Sequence, residues 1–275
     1  MIPSLLLLAS AAFHALWNAI AKLGKDPEES LRGILVVAMC LGPFFIPFFS
    51  GPLFPTAKSF LFAVGAGFAE AVYLFALARA LRASSLAASY TIMRGGALFL
   101  VWIFSLTWMG ERVQLTTIAG ASLVLFGILS ANKSPWRAIF SGGDGWAFAC
   151  AIFIAAYHLF YRAALAEGAQ AAALYSLSLG IAVPIFLLTS GRGLKGLGET
   201  IFSLRVLIGG VLCALSFLVF LIGMADTGAG IAITLRNTSV VFAQIFALMI
   251  GERVMPRQWA GAFLVAGGAA IIALN

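Results

Sequence analysis

Ile233-Thr234-Leu235-Arg236, followed about one helix length later by Gly251-Glu252-Arg253-Val254, repeats an earlier stretch of the chain. The earlier copy reads Tyr90-Thr91-Ile92-Met93-Arg94 and then Gly110-Glu111-Arg112-Val113. In both copies an Arg lies inside an apolar segment, and the Gly-Glu-Arg-Val turn separates that segment from the next apolar one. Such self-similarity is the signature of a repeated structural unit. The sequence therefore predicts a chain built from two copies of one unit.

The composition identifies the surroundings of the protein as a lipid bilayer. Of the 275 residues, 62% are hydrophobic and only 10% are charged, and the mean hydropathy is +1.05. These residues cannot cover a water-soluble globule with polar surface. A membrane crossing needs about 20 apolar residues, and we expect an all-α integral membrane protein with ten such helices, at 3–22, 32–50, 58–80, 84–108, 115–131, 145–166, 170–190, 203–224, 228–250 and 257–274.

The number of segments in each half predicts how the two units are related. We divide the chain into a first five-helix repeat at 1–132, a connecting loop at 133–144 and a second five-helix repeat at 145–275. Because five crossings is an odd number, the second repeat enters the membrane from the opposite side. Inverted repeats with charged residues near the membrane midplane are typical of secondary transporters, whose binding site lies where the repeats meet.

Three charged residues lie deep inside predicted helices. At 1.5 Å per residue, Arg94 and Arg236 lie about 15 and about 12 Å from the predicted helix starts, and Glu70 lies at a similar depth, near the midplane. A charge at this depth marks a functional site by default. A guanidinium binds carboxylate or phosphate in a bidentate way, so the excess of Arg over Glu favours an anionic ligand or the anionic group of a zwitterion. Glu70 has two interpretations, an ion pair with an Arg and a proton or ligand site.

The two His residues occupy matching positions in the first helix of each half. The motifs are Phe13-His14-Ala15-Leu16-Trp17-Asn18 and Tyr157-His158-Leu159-Phe160-Tyr161-Arg162. Residues four apart share a helix face, which pairs His14 with Asn18 and His158 with Arg162. A membrane His either donates to a helix carbonyl or lines a cavity, and the symmetric placement favours the cavity.

Aromatic residues complete the predicted cavity, although each is also explained by packing. The predicted substrate-binding or coupling residues are Arg94, Arg236, His14, His158, Glu70, Asn18, Arg162, Tyr90, Trp17 and Tyr73. Proline residues in the second helix of each half predict bends that act as gates or as static kinks. Glycine residues that recur in several segments predict close helix packing.

Enzymatic and nucleic-acid functions are not expected from these patterns. The two His residues lie one in each half without the His-Glu-x-x-His spacing of a metalloprotease, and the three Cys lie singly in apolar segments. Lys and Arg are spread along the loops rather than on an aromatic face. We therefore expect no catalytic residue, metal or cofactor. Because no Walker motif is present, transport would be coupled to protons, to another ion or to the substrate gradient.

The net charge of +7 is informative about orientation. Lys and Arg concentrate beside the connections that run from odd to even segments, at Lys22, Lys25, Arg32, Arg79, Arg82, Lys133, Arg137, Arg192, Lys195, Arg205, Arg253 and Arg257. Cytoplasmic loops of membrane proteins carry the excess of Lys and Arg. We therefore expect both termini on the non-cytoplasmic side of the cell membrane.

The doubled five-segment unit, the Gly-Glu-Arg turns and the polar-aromatic motifs resemble the EamA family of the drug/metabolite transporter superfamily. The resemblance covers essentially the whole chain. It implies a ten-helix basket with a central cavity in a bacterial inner membrane, and export or uptake of small metabolites such as amino acids. Many relatives place both termini in the cytoplasm, the reverse of what the charge bias predicts here. From the inverted repeats, the charges near the midplane and this resemblance, we expect an exporter or exchanger of a small anionic or zwitterionic metabolite that works by alternating access. The alternative is a channel or a lipid flippase with the same bundle.

Overall fold

A computed structural model describes residues 1–24, 26–83, 86–130, 145–190, 193, 196–249, 251 and 253–274 of the chain. These residues form helices, a 3₁₀ turn at Ile46–Phe48 and connecting loops, with no strand among them. The helices are α1 (Ile2–Lys22), α2 (Pro27–Phe45), α3 (Ala57–Ala83), α4 (Leu86–Thr107), α5 (Leu115–Ser130), α6 (Gly145–Ala166), α7 (Ala171–Thr189), the short α8 (Leu197–Ile201), α9 (Leu204–Thr227), α10 (Ala229–Arg236), α11 (Ser239–Met249) and α12 (Pro256–Ala273).

Helices lie on every apolar segment that the sequence predicts. Seven helical runs are long and apolar enough to cross a membrane by length and composition, and α4 and α5 contain shorter apolar helices. The all-helical membrane class is therefore confirmed. The predicted connecting loop at 133–144 lies outside the described residues.

The ninth predicted segment, 228–250, forms two helices instead of one continuous helix. α10 ends at Arg236 and α11 begins at Ser239. The Asn237 backbone N–H donates to the carbonyls of Ile233 and Thr234 at 3.0 and 3.1 Å, and the Thr238 hydroxyl donates to the Leu235 carbonyl at 2.6 Å. Because Ser, Thr and Asn side chains and tight terminal turns compete with regular helical bonds, this polar run interrupts the helix.

Helices of one half of the chain pack against helices of the other half. α1 packs along α9, and α6 packs along α3; α10 and α11 lie against α1, as α4 lies against α6. α2 contacts α7, and α5 lies beside α12. The polar residues of α1, α4, α6, α9 and α10 consequently meet in the interior of the bundle.

Glycine backbones are in direct contact where α5 crosses α12. A methyl group added at Gly268 would lie 2.5 Å from the Gly120 carbonyl oxygen, and one added at Gly127 would lie 2.7 Å from the Gly261 carbonyl oxygen. Such distances leave no room for a side chain. The predicted role of glycine in close helix packing is therefore confirmed at this crossing, where small residues let two membrane helices approach.

We expect Gly268→Ala to destabilise the purified protein by about 1 to 3 kcal/mol, the usual cost of overpacking a filled interior. The matched control is Gly180→Ala in α7, where an added methyl group meets nothing within 4 Å. Gly180→Ala should be neutral or stabilise by up to about 1 kcal/mol, because Ala has the higher helix propensity. Thermal unfolding in detergent measures both changes. Equal melting temperatures for the two variants would contradict the close crossing.

Candidate functional site

Three nitrogen-bearing side chains from three helices converge in the interior of the bundle. His14 of α1 lies between two arginines: its Nε2 is 2.7 Å from Nη2 of Arg94 in α4, and its Nδ1 is 3.3 Å from Nη2 of Arg236 in α10. Arg236 is only 3% exposed. Its Nη1 donates to the Ser10 hydroxyl at 2.9 Å and to the Ser216 carbonyl at 3.3 Å. We call His14, Arg94 and Arg236 the donor cluster.

The donor cluster contains more hydrogen-bond donors than acceptors. A guanidinium only donates, and a neutral imidazole has one accepting nitrogen. If Nε2 accepts from Arg94 at 2.7 Å, then Nδ1 carries a hydrogen and faces an Arg236 amino group at 3.3 Å. Protonation of His14 would remove the remaining acceptor. In each of these protonation states the contacts between His14 and the two arginines contain more donors than acceptors, and an anionic group placed here would supply an acceptor.

The charge of Arg236 is not neutralised by a nearby carboxylate. In the described part of the chain, no carboxylate lies within 4 Å of the Arg236 guanidinium, whereas Arg162 pairs with Glu111. The Arg236 guanidinium lies over the rings of Phe217 and Phe220, at 4.9 and 4.3 Å from the ring centres. A cation–π contact contributes about 0.5 to 2 kcal/mol, and a charge at the bilayer centre costs at least about 2.5 kcal/mol. An anionic ligand would supply the missing opposite charge.

Glu70 of α3 occupies a second polar site. It is 3% exposed, and its Oε2 accepts hydrogen bonds from Tyr161 at 2.8 Å and from Ser178 at 2.6 Å. The Tyr161 and Ser178 hydroxyls also lie 2.7 Å apart. Within the described ranges, no Arg or Lys lies at ion-pair distance from Glu70. The structure therefore does not contain the Glu70–Arg ion pair, which was one of the two interpretations of this residue.

One ring nitrogen of His158 in α6 donates to a helix carbonyl, and the other is left without a partner in the described structure. Its Nδ1 donates to the Ile154 carbonyl at 2.7 Å, which makes Nε2 an acceptor. Nε2 is buried and has no hydrogen-bond partner in the residues that the structure describes. The His158 ring lies 5.1 Å from the ring of Phe220, which also contacts Arg236. His158 thus adds a buried, unused acceptor in a group of rings that also contacts the donor cluster.

The other residues predicted for the cavity divide into two groups. Trp17 contacts the donor cluster, because its ring lies 5.2 Å edge-on from His14 and its buried Nε1–H lacks a partner in the described structure. Tyr73 lies 5.7 Å from Tyr157, measured between ring centres. Asn18 is exposed, and its amide donates to the His14 carbonyl at 2.6 Å instead of pointing to a ligand site. The side chain of Tyr90 lies outside the described structure.

Arg162 does not join the donor cluster, contrary to its predicted place in the cavity. It lies near the end of α6, where Nε donates to Glu111 Oε1 at 3.1 Å and Nη1 donates to the Ala225 carbonyl at 3.0 Å. Glu111 also accepts from the Ala229 backbone N–H at 2.9 Å and from the Ser105 hydroxyl. The first Gly-Glu-Arg-Val turn is thereby joined to two elements of the second half. We call this junction the Glu111 latch.

The helix α10 connects the Glu111 latch to the donor cluster. Ala229 is the first residue of α10 and Arg236 is the last. The Glu111 carboxylate at the N-terminus and the guanidinium near the C-terminus both match the helix dipole. Gly228 has a φ of 87°, and an added methyl group would lie 2.6 Å from the Glu111 carboxylate, so glycine is required at this turn. The eight residues of α10 place the two sites about 12 Å apart along the helix axis.

Sequence reasoning did not assign a role to Glu111, although it identified the turn that contains it. The repetition of Gly-Glu-Arg-Val was the available signal. Its partner Arg162 lies in a helix that is distant in the sequence, and the sequence analysis assigned that residue to the cavity. Glu252, the matching acid in the second copy, lies outside the described residues. Within those residues, no group of three His, Cys, Asp or Glu side chains is arranged to hold a metal ion.

Known structures and sequences resemble this chain at two levels. A crystal structure of a protein matches it with a TM-score of 0.73, covering 99% of this chain and 96% of the other at 18% sequence identity. At this identity the likeness concerns the fold alone. A search of curated proteins found no match. The profile of the EamA-like transporter family matches residues 141–274.

The family match and the apolar helices together indicate a multi-pass membrane protein with a role in membrane transport. The family that the Gly-Glu-Arg turns and the polar-aromatic motifs resembled is thereby confirmed. Residues 141–274 match the EamA-like transporter family, which lies within the drug/metabolite transporter superfamily.

Proposed function

We propose that the protein is a secondary active transporter, an exporter or exchanger in a cell inner membrane. Its substrate is a small anionic or zwitterionic metabolite such as an amino acid, whose anionic group binds at the donor cluster. The observation that carries this proposal is the donor excess: His14 contacts Arg94 at 2.7 Å and Arg236 at 3.3 Å, and a carboxylate accepts from such donors in a short, charge-assisted geometry.

The acceptors near the donor cluster suit the ammonium group of a zwitterion. His158 Nε2 is a buried acceptor without a partner in the described structure. Glu70 supplies a carboxylate that is held by Tyr161 and Ser178. An amino acid would therefore direct its carboxylate to the arginines and its ammonium group to His158 or Glu70. Glu70 is also the residue at which a coupled proton would bind, because its carboxylate has no cationic partner within ion-pair distance among the described residues.

Alternating access by two inverted five-helix repeats accounts for the packing of the bundle. Two repeats related by a pseudo-twofold axis should make each contact between the halves twice, with the roles of the halves exchanged. The pairs α1 with α9 and α6 with α3 have this relation, and α5 with α12 pairs the last helices. These pairs support the repeat boundaries at 1–132 and 145–275. The broken ninth segment also supports the proposal, because discontinuous helices form the substrate sites of many transporters.

The Glu111 latch supplies a gate for this cycle. Its contacts with Arg162 and with the N-terminus of α10 hold the two halves together on the side of the α4–α5 loop. Opening that side requires these contacts to break. Because α10 ends at Arg236, its movement would change the position of one arginine of the donor cluster. Substrate release and gate opening would thus be mechanically connected.

Replacement of the arginines tests the anion site. We expect Arg236→Gln and Arg94→Gln each to weaken the binding of an anionic ligand by about 10-fold to 100-fold, because a hydrogen bond to a charged group contributes about 1.5 to 3 kcal/mol. Arg236→Lys should restore binding only in part, because it lacks the bidentate fork. Calorimetric titration measures the dissociation constant of each variant, normalised to the amount of folded protein. The ligand is the amino acid or organic acid that most stabilises the wild-type protein.

Arg205→Gln is the matched control for these variants, because Arg205 donates to the Leu23 carbonyl at 2.6 Å at the end of α1. Its ligand affinity should equal that of the wild type. Unchanged affinity in both Arg94→Gln and Arg236→Gln would end the anion-site proposal.

Replacement of Glu111 tests the gate. In a protein with Cys40→Ser, Cys150→Ala and Cys213→Ala, Ala232→Cys places one thiol on the fully buried position 232 of α10. Adding Glu111→Gln should raise its labelling by a membrane-impermeant maleimide about tenfold, since a helix cap and a partly exposed ion pair together contribute about 1 to 2 kcal/mol. Labelling in vesicles of known orientation measures the change.

Glu167→Gln is the control for Glu111→Gln, because Glu167 lies on the same side and accepts from the Thr56 hydroxyl at 3.2 Å. It should leave the labelling rate unchanged. Equal rates for the Glu111 and Glu167 variants would show that the latch is not the gate.

A further inference from the structure

An apolar groove lies on the face of α6 that points away from the donor cluster. Ile152, Ala156, Leu159 and Ala163 line it, whereas His158 and Tyr161 of the same helix face the interior polar sites. α3 and α4 form the two walls, and the groove has a volume of about 740 Å³. This volume is in the range of ligand-binding pockets, roughly 300 to 1,000 Å³.

The groove forms because α3 and α4 separate along their length. They are connected near Ala83 and Leu86, and they contact each other little although each packs against α6. Their opposite ends, with Phe62 on α3 and Phe104 on α4, leave the surface of α6 uncovered between them. The groove therefore opens sideways, toward the region that lipid occupies in a membrane-spanning bundle.

The length of the groove matches one leaflet of a bilayer. Its lining runs along α6 from Ile152 to Glu167, which is about 22 Å at 1.5 Å per residue. Half of a bilayer, including the headgroup layer, is about 20 to 22 Å. Trp108, which is highly exposed, lines the end near Glu167, and Trp is enriched at the depth of the headgroups.

Charged groups of both signs lie at this headgroup end. Arg162 and Glu111 line the groove as an ion pair. The Arg162 side chain is 24% exposed, although Nε donates to Glu111 and Nη1 donates to the Ala225 carbonyl. Glu167 also lines the groove, and one of its carboxylate oxygens accepts from the Thr56 hydroxyl. The remaining guanidinium amino group suits a phosphate, and the second carboxylate oxygen of Glu167 suits an ammonium group.

We propose that this groove is a binding site for one phospholipid whose headgroup carries a phosphate and a primary ammonium group. One acyl chain lies along α6 between Phe62 and Phe104. The phosphate meets Arg162, and the ammonium group meets Glu167. The site is separate from the donor cluster, so it does not depend on the proposed anion site, although it shares Arg162 with the Glu111 latch. The charge pattern at the headgroup end distinguishes this lipid from an anionic lipid with the same chains.

Native mass spectrometry of the purified full-length protein tests the site, with dioleoyl phosphatidylethanolamine and dioleoyl phosphatidylglycerol as probes. Both lipids contain the phosphate, and only the first contains the ammonium group. We expect the wild type to bind one phosphatidylethanolamine with an affinity about threefold to fivefold higher than that for phosphatidylglycerol, the effect of one partly exposed ion pair. Glu167→Gln should abolish this preference and retain binding of both lipids.

A variant that fills the groove tests the position of the acyl chain. Ala156→Phe should reduce the occupancy of both lipids at the single tight site. The matched control is Ala119→Phe, which adds the same ring at an exposed position on α5 and should leave occupancy unchanged.

Equal affinity of the wild type for the two lipids would overturn the proposal. It would equally be overturned if folded Ala156→Phe protein kept wild-type lipid occupancy. If Ala156→Phe does not fold, the comparison of lipids in the wild type and in Glu167→Gln still decides the matter.

Discussion

A guanidinium inside a membrane protein keeps its charge and needs hydrogen-bond acceptors, and Arg236 obtains them from two other helices. Ser10 of α1 and Ser216 of α9 accept from it, and these two serines also exchange hydrogen bonds with each other's carbonyls, at 2.7 and 3.1 Å. The packing of α1 along α9 is therefore tied to the burial of this one charge. Because two neutral acceptors and two aromatic rings solvate a cation without neutralising it, the site remains positive. That remaining charge is the physical basis for proposing an anionic substrate.

The short helix α10 explains how a contact at the end of the bundle can affect its interior. An eight-residue helix is held at both ends by charges, with the Glu111 carboxylate at its first N–H and Arg236 in its last turn. Trp102 of α4 fixes its middle, because the indole N–H donates to the Thr234 hydroxyl at 2.9 Å and the ring lies against Gly230. The breaks at Gly228 and at Asn237 separate α10 from its neighbours in the chain. α10 is consequently a separate helical segment between α9 and α11.

Periodicity and repetition in the sequence were sufficient to predict the helices and part of the site. Apolar length determines where a chain can cross a membrane, so each predicted segment contains helix. The matching positions of Arg94 and Arg236, together with the His14 motif, pointed to side chains that do meet. The break after Arg236 was missed because hydropathy averages over a span and does not register the competition of Thr238 for backbone carbonyls. The partners of Glu70 and Arg162 were missed because they come from helices far away in the sequence, and a single sequence carries no signal for such pairs.

The central claim is that the donor cluster binds an anionic group, and the most direct measurement compares ligands that differ only in that group. Thermal unfolding of the wild-type protein would be followed with an amino acid, with its carboxamide and with its N-acetyl derivative. A ligand present at 100 times its dissociation constant should stabilise the folded state by about 2.7 kcal/mol. The account predicts that the amino acid which stabilises the protein most loses this effect as its carboxamide and keeps part of it as the N-acetyl derivative. Equal stabilisation by the acid and the carboxamide would contradict the account.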